Sequence, residues 1–249
     1  MSIPPILTVT TARMAEDPGL ATLVRESREQ ADAFIFLSGG ASGMSSATED
    51  ALLHMFESLA ILAARGVRFG VADGGTAAGI MQAAGRARAR ASPSFPLIGV
   101  TPMREIPPFG TTPVDPNHTT IVAVDNPHWD GANGYFGSET VAMYGLFARL
   151  AEGRPSVTIV ANGGEIALTE VDQNIRAGRP MIVVRGSGRA ADTLGSMLDQ
   201  TPVSGDEIVK LRAKAEALHL LRQADLFHVF DLARGPQALA GTLGALLCR

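Results

Sequence analysis

Cysteine is almost missing: the 249 residues hold one, Cys248. A disulfide framework or a cysteine-based zinc site within the chain is therefore excluded. Lysine is nearly as scarce. Lys210 and Lys214 are the only two, and arginine supplies the rest of the positive charge. Guanidinium forks suit phosphates better than ammonium groups do, although a bias of genome composition accounts for the scarcity equally well. There is no excess of basic residues either. The formal net charge is −4 and the pI near 5.7, which argues against a nucleic-acid partner. No run of about 18 uncharged apolar residues occurs, so no membrane span or channel pore is expected. The N-terminus MSIPPILTVTTARMAEDPG has neither a basic n-region nor a long apolar h-region. These absences lead to the expectation of a cytoplasmic protein. His118, Asp125, His128, Asp130 and Glu139 match no metal-ligand spacing, so neither a metal nor a required cofactor is expected.

What is present is apolar and rhythmic. Hydrophobic residues make up 46% of the chain and charged ones 18%, ample for a buried core. Strand-like apolar runs occur at 33–40, 67–75, 95–102, 120–125, 157–164, 180–188 and 226–231. Helical spacing fills 47–66, 76–91, 138–153, 165–178, 189–200, 206–224 and 235–248. Gly66 suits the position after a helix end, and Ser138 the N-cap of the helix it opens. His54 and His219 fall on predicted helices and His228 on a strand, as structural residues. Two long stretches, 103–119 and 126–137, are too irregular for helices and too long for simple connections, which is common for functional loops. The strands are continuous rather than alternating, as when both sheet faces are covered. The expectation is one domain, 1–249, an α/β Rossmann-like three-layer sandwich with a mostly parallel sheet and helices on both faces.

Four strand ends carry glycine before a helix: SGGASG (38–43), DGGT (73–76), NGGE (162–165) and RGSGRA (185–190). In a parallel sheet such turns share the carboxyl edge, where ligands bind. Each helix start adds unpaired N–H groups and a positive dipole end, together an anion site. Glycine also serves tight turns with no ligand present. The repetition favours a phosphate-bearing guest, with Gly39, Gly40, Ser42, Gly43, Gly74, Gly75, Thr76, Gly163, Gly164, Gly186, Ser187 and Gly188 around it. Gly186, Gly188 and Ala191 also fit the loose dinucleotide fingerprint G-x-G-x-x-A, but no acidic strand end follows about 20 residues on. Arg189 stands in the first turn of its helix, where the dipole disfavours a cation unless an anion binds; a structural salt bridge would serve as well.

Read in order, SGGASGM, ADGGTAAGIM, LIGVTP, DPNHTT, IVAVD, FGSE and NGGEIALTEVDQNIRAGRPMIVVRGSGRAAD coincide with one known pattern. The chain resembles the LSDAT branch of the SLOG superfamily, from about Phe34 to Asp192 and more weakly beyond. That branch includes stand-alone prokaryotic proteins and the N-terminal cytosolic domain of TRPM-type channels. The resemblance implies a Rossmann-like fold that binds nucleotides or their derivatives. ADP-ribose is the ligand in some of those channels, and relatives in bacterial defence sense nucleotide messengers. The more distant LOG enzymes release a free base from cytokinin nucleotides with the motif P-G-G-x-G-T-x-x-E. Here the segment Asn162–Glu170 keeps the glycine pair and the final acid but lacks the G-T pair, which puts hydrolysis in doubt.

Single residues follow from both lines. Asn117 and His118 are candidates to orient sugar or base, or else to satisfy their own turn. Glu139 and Glu165 each open a helix, as ribose contacts or as dipole-stabilised acids. Glu165 and Glu170 are the candidate catalytic acids, with a solvated helix face as the alternative for Glu170 and Asp172. Trp129 and Tyr135 could stack on a base or pin their loop. The expected ligand is ADP-ribose or a related adenine nucleotide, held by a sensor; the alternative is a nucleotide phosphoribohydrolase. A small-molecule nucleotide derivative and further copies of the chain are the expected partners.

Overall fold

A computed structural model of the chain describes residues 3–40, 45–128, 134–202 and 204–248. Among these residues eight strands form one sheet in the order β1-β5-β4-β3-β2-β6-β7-β8. They are β1 (Ile6–Thr10), β2 (Ala33–Gly39), β3 (Phe69–Asp73), β4 (Leu97–Pro102), β5 (Thr120–Asp125), β6 (Ser156–Ala161), β7 (Met181–Arg185) and β8 (Phe227–Asp231). Every pairing is parallel. The α-helices are α1 (Pro18–Gln30), α2 (Ser46–Met55), α3 (Glu57–Ala64), α4 (Gly79–Arg90), α5 (Thr140–Ala151), α6 (Glu165–Arg176), α7 (Arg189–Leu198), α8 (Asp206–Ala217) and α9 (Gly235–Leu247).

The period of two in a strand assigns its side chains to opposite layers. Ala33, Ile35 and Leu37 of β2 pack against α2, α3, α4 and α9. Phe34 and Phe36 point the other way, to α1 and α5. That second layer continues over β6 and β7 with α6, α7 and α8, through Leu168, Val171, Leu194 and Leu211. Both faces are thus covered, and this is why the strands read as unbroken apolar runs.

Strand order runs outward from β2 in two directions, through β3 to β5 and through β6 to β8. The chain reverses its direction of travel between β2 and β6. In a parallel sheet this switch point opens a crevice at the carboxyl ends of the two strands.

The structure departs from the sequence-based expectation in several elements. β1 and α1 were not foreseen, because β1 is an edge strand with one buried side chain and α1 buries only Leu20 and Ser27. The single helix expected over 47–66 is two, parted at Phe56, with Gly66 following the second at φ +81°. The helix expected over 206–224 ends at Ala217. His219 takes a left-handed conformation, and a 3₁₀ segment replaces the remainder. Ser138 is not an N-cap, since Glu139 holds that position before Thr140. The 103–119 stretch contains a 3₁₀ turn at Met103–Glu105 and a bridge from Val114 to Thr76.

The α5 layer is anchored by Phe147, whose ring stacks on Phe36 at 4.2 Å between centroids and an 8° interplanar angle. Both rings are fully buried. Phe147→Ala should lower the unfolding free energy by about 4 kcal/mol, read from urea denaturation; a loss below about 1 kcal/mol would mean that α5 is not anchored there.

Candidate functional site

At the switch point the backbones of β2 and β6 nearly touch. A Cβ on Gly39 would lie 2.0 Å from the Ala161 carbonyl oxygen and 2.7 Å from Ile80 of α4. A Cβ on Gly40 would lie 3.2 Å from the Gly163 Cα. Gly163 itself has φ +84°. Gly39 and Gly163 therefore admit only glycine and Gly40 leaves little room for more, so the floor of the crevice is bare main chain. Asn162 crosses it, donating from Nδ2 to the Gly40 carbonyl at 3.4 Å.

β7 joins the same point. The Ser187 hydroxyl accepts from the Asn162 N–H at 2.8 Å and donates to the Val184 carbonyl. The N–H groups of Ala190 and Ala191 donate to the Gly163 and Asn162 carbonyls, both at 3.1 Å. The first turn of α7 is thus used in holding the β6 turn, and Asp192 accepts from the Gly186 N–H. By contrast, no side chain caps the first turn of α6, where Gly164 stands at the N-cap. Arg189, at φ +47°, lays its guanidinium against Gly164, with Nη2 3.0 Å from where a Cβ would be. Glu207 pairs with that guanidinium at 2.6 Å. Arg189 thus combines an ion pair with a place beside the α6 N-terminus. Glu165 is exposed at the helix start.

Two acids lie buried just beneath. Glu139 precedes α5, and its carboxylate accepts from the Gly137 N–H at 2.8 Å. Burial, helped by the nearby Glu105 and opposed by that hydrogen bond, pushes its carboxyl up to about 7. Glu170 in α6 meets the Ser38 hydroxyl at 2.5 Å. Burial pushes it up to about 8, against the Ser38 bond and with help from Glu139. A solvated face for Glu170 and Asp172 is therefore overturned for both: they are 7% and 6% exposed. Asp172 is matched by Arg176 and Arg222. Beyond Glu170, Asn174 donates to the Tyr144 hydroxyl and accepts from Thr158 and Arg179.

Gly74, Gly75, Thr76, Asn117 and His118 form a neighbouring group where the end of β3 and the residues before β5 meet Gly99 of β4. The His118 ring bridges Asp73 at 2.8 Å and Asp115 at 3.2 Å, entirely out of solvent. Burial alone would lower its pKa, but the two carboxylates raise it to about 9. His118 is thus an imidazolium that ties the 113–119 loop to β3. The Gly75 N–H also donates to Asp73, and its carbonyl accepts from Asp115. The Asn117 N–H turns back to Asp115, and its carbonyl accepts from Arg88. Ser42, Gly43 and Trp129 lie outside the described residues, while Tyr135 lies under the Arg104 guanidinium. Among the described residues no cluster of three or more His, Cys, Asp or Glu could hold a metal.

Ser38, Tyr144, Asn174, Asp73 and Asp115 escaped the sequence reading. A signal existed for Asn174, which follows Glu170 by one helical turn. Ser38 is a lone hydroxyl closing an otherwise apolar strand.

The family model for SLOG in TRPM, prokaryote, matches residues 32–240, most of the chain.

Three buried groups share one pH dependence. Glu170 and Glu139 keep their protons when folded to about pH 8 and 7, whereas unfolded carboxyls lose theirs near 4.5. His118 stays protonated to about 9, against 6.5 unfolded. All three contributions are full below the unfolded values and are lost as pH rises through the folded ones. The melting temperature should therefore fall between pH 4.5 and 9, and Glu170→Gln should flatten the part of the profile below pH 8. A Glu170→Gln profile parallel to wild type would contradict the assignment of that proton.

Proposed function

Because the chain belongs to the family of SLOG in TRPM, prokaryote, we propose that it binds a nucleotide-derived anion at the β2–β6 crevice and acts as a sensor of it. The ligand is ADP-ribose or a related adenine nucleotide. The observation that carries this reading is the meeting of three features at one point. Main chain lies bare at Gly39, Gly40 and Gly163, the first turn of α6 has no side-chain cap, and the Arg189 guanidinium lies over Gly164. Backbone N–H groups at a helix start together with a guanidinium fork recognise phosphate oxygens. Glu165, exposed at the same turn, serves a ribose hydroxyl. Glu139, with its carboxyl pushed up to about 7, is roughly half neutral near that pH, so it repels a phosphate less than a fully ionised acid would. Gly74, Thr76, Asn117 and His118 act one layer back in this reading, shaping the rim.

A second reading has its own support in Glu170, which keeps its proton to about pH 8 beneath the crevice. It occupies the last position of the segment compared above with the hydrolase motif. A neutral acid there suits protonation of a leaving base, with Glu165 steadying the sugar cation. The protein would then be a nucleotide N-glycosidic hydrolase rather than a sensor.

Calorimetry against ADP-ribose, AMP and inorganic pyrophosphate tests the first reading. Binding of ADP-ribose tighter than millimolar is expected, weakened about tenfold by Arg189→Ala, as for the loss of one charged hydrogen bond. No binding tighter than millimolar by any of the three would overturn it. Incubation with nucleoside monophosphates tests the second: free base should appear and should vanish in Glu170→Gln. Release that persists in both Glu165→Gln and Glu170→Gln would remove these two acids from the chemistry.

A further inference from the structure

A cleft of about 540 Å³ runs along α5 and shares no lining residue with the glycine turns of the β2–β6 crevice. Met14 walls one side, and Val141, Gly145 and Leu146 the other, with Ser138 and Arg149 also in its lining. Its volume falls within the roughly 300–1,000 Å³ of ordinary small-molecule sites.

Three observations set it apart from a surface groove. Val141 is 76% exposed, more than any other large hydrophobic side chain among the described residues. Ser138 is nine-tenths buried and lines the cleft, yet among the described residues its hydroxyl has no hydrogen-bond partner. A buried hydroxyl left unmatched is rare in folded proteins and calls for a partner. Arg149 donates only to the neutral Met14 carbonyl at 3.2 Å, and among the described residues it forms no ion pair.

We propose that this cleft is a binding site for a small apolar carboxylate. The apolar body lies along Val141 and Gly145 and the carboxylate pairs with Arg149. The lining fixes this orientation: among the described residues that wall the cleft, Arg149 is the one that carries a charge. A guanidinium takes a carboxylate in a bidentate pair. Gly145 is exposed on the cleft wall, and a Cβ there meets nothing within 4 Å. That opening is the space the body occupies.

Octanoate and octan-1-ol are suitable probes, read through the methyl resonance of Met14 in methyl-labelled protein. Octanoate should shift that resonance saturably and bind at least tenfold more tightly than octan-1-ol. Arg149→Gln should erase the preference between them. Gly145→Leu should fill the cleft and abolish both without lowering the melting temperature, since leucine is the better helix former. Absence of a saturable shift with octanoate would overturn the proposal, as would binding that survives Gly145→Leu. A dimer in sedimentation experiments that Gly145→Leu disrupts would also overturn it, by giving this face to a second copy of the chain.

Discussion

The contact on which the rest depends is the approach of two backbones. β2 and β6 are adjacent in the sheet, and their carboxyl ends come so close that a methyl group on Gly39 would overlap the Ala161 carbonyl. That approach sets the width of the crevice. It also fixes where α6 begins, and so where its uncapped N–H groups point. The α7 start then locks the β6 turn from the far side: the N–H groups of Ala190 and Ala191 donate to the Gly163 and Asn162 carbonyls. Two helix starts that look alike in sequence therefore have different duties. One is a clamp, and the other stands open beside an arginine.

How much of this was legible beforehand depends on the range of the physics involved. Periodicity and run length are local, and they gave seven of the strands and the covered sheet. The glycine pairs marked the carboxyl edge because a turn with positive φ or close approach selects glycine within a few residues. β1 was missed because an edge strand with one buried residue has little pattern to read. The helix break at His219 was missed because a left-handed histidine has no compositional signature. Long-range pairings were beyond reach. Nothing adjacent in sequence says that His118 lies between Asp73 and Asp115, or that Glu170 meets Ser38 132 positions away.

The two polar clusters beneath the edge differ in charge logic. Around His118 an imidazolium sits between two acids, and the loop is held by ion pairs. Around Glu170 the acid is kept by burial in its neutral form and hydrogen-bonded to a hydroxyl. The first is a fastening of the 113–119 loop. The second leaves a proton stored under the crevice, next to the strand pair that shapes it.

The strand order has a consequence for biosynthesis. β2 to β5 emerge from the ribosome in turn and can pair as they appear, but the neighbour of β2 on its other side is β6, made only after Ser156. Until then the inner edge of β2 stays unpaired, and pairing across so long a loop is slow. The N-terminal half can gather its layers early, while the β2–β6 seam is completed last, when the C-terminal half docks.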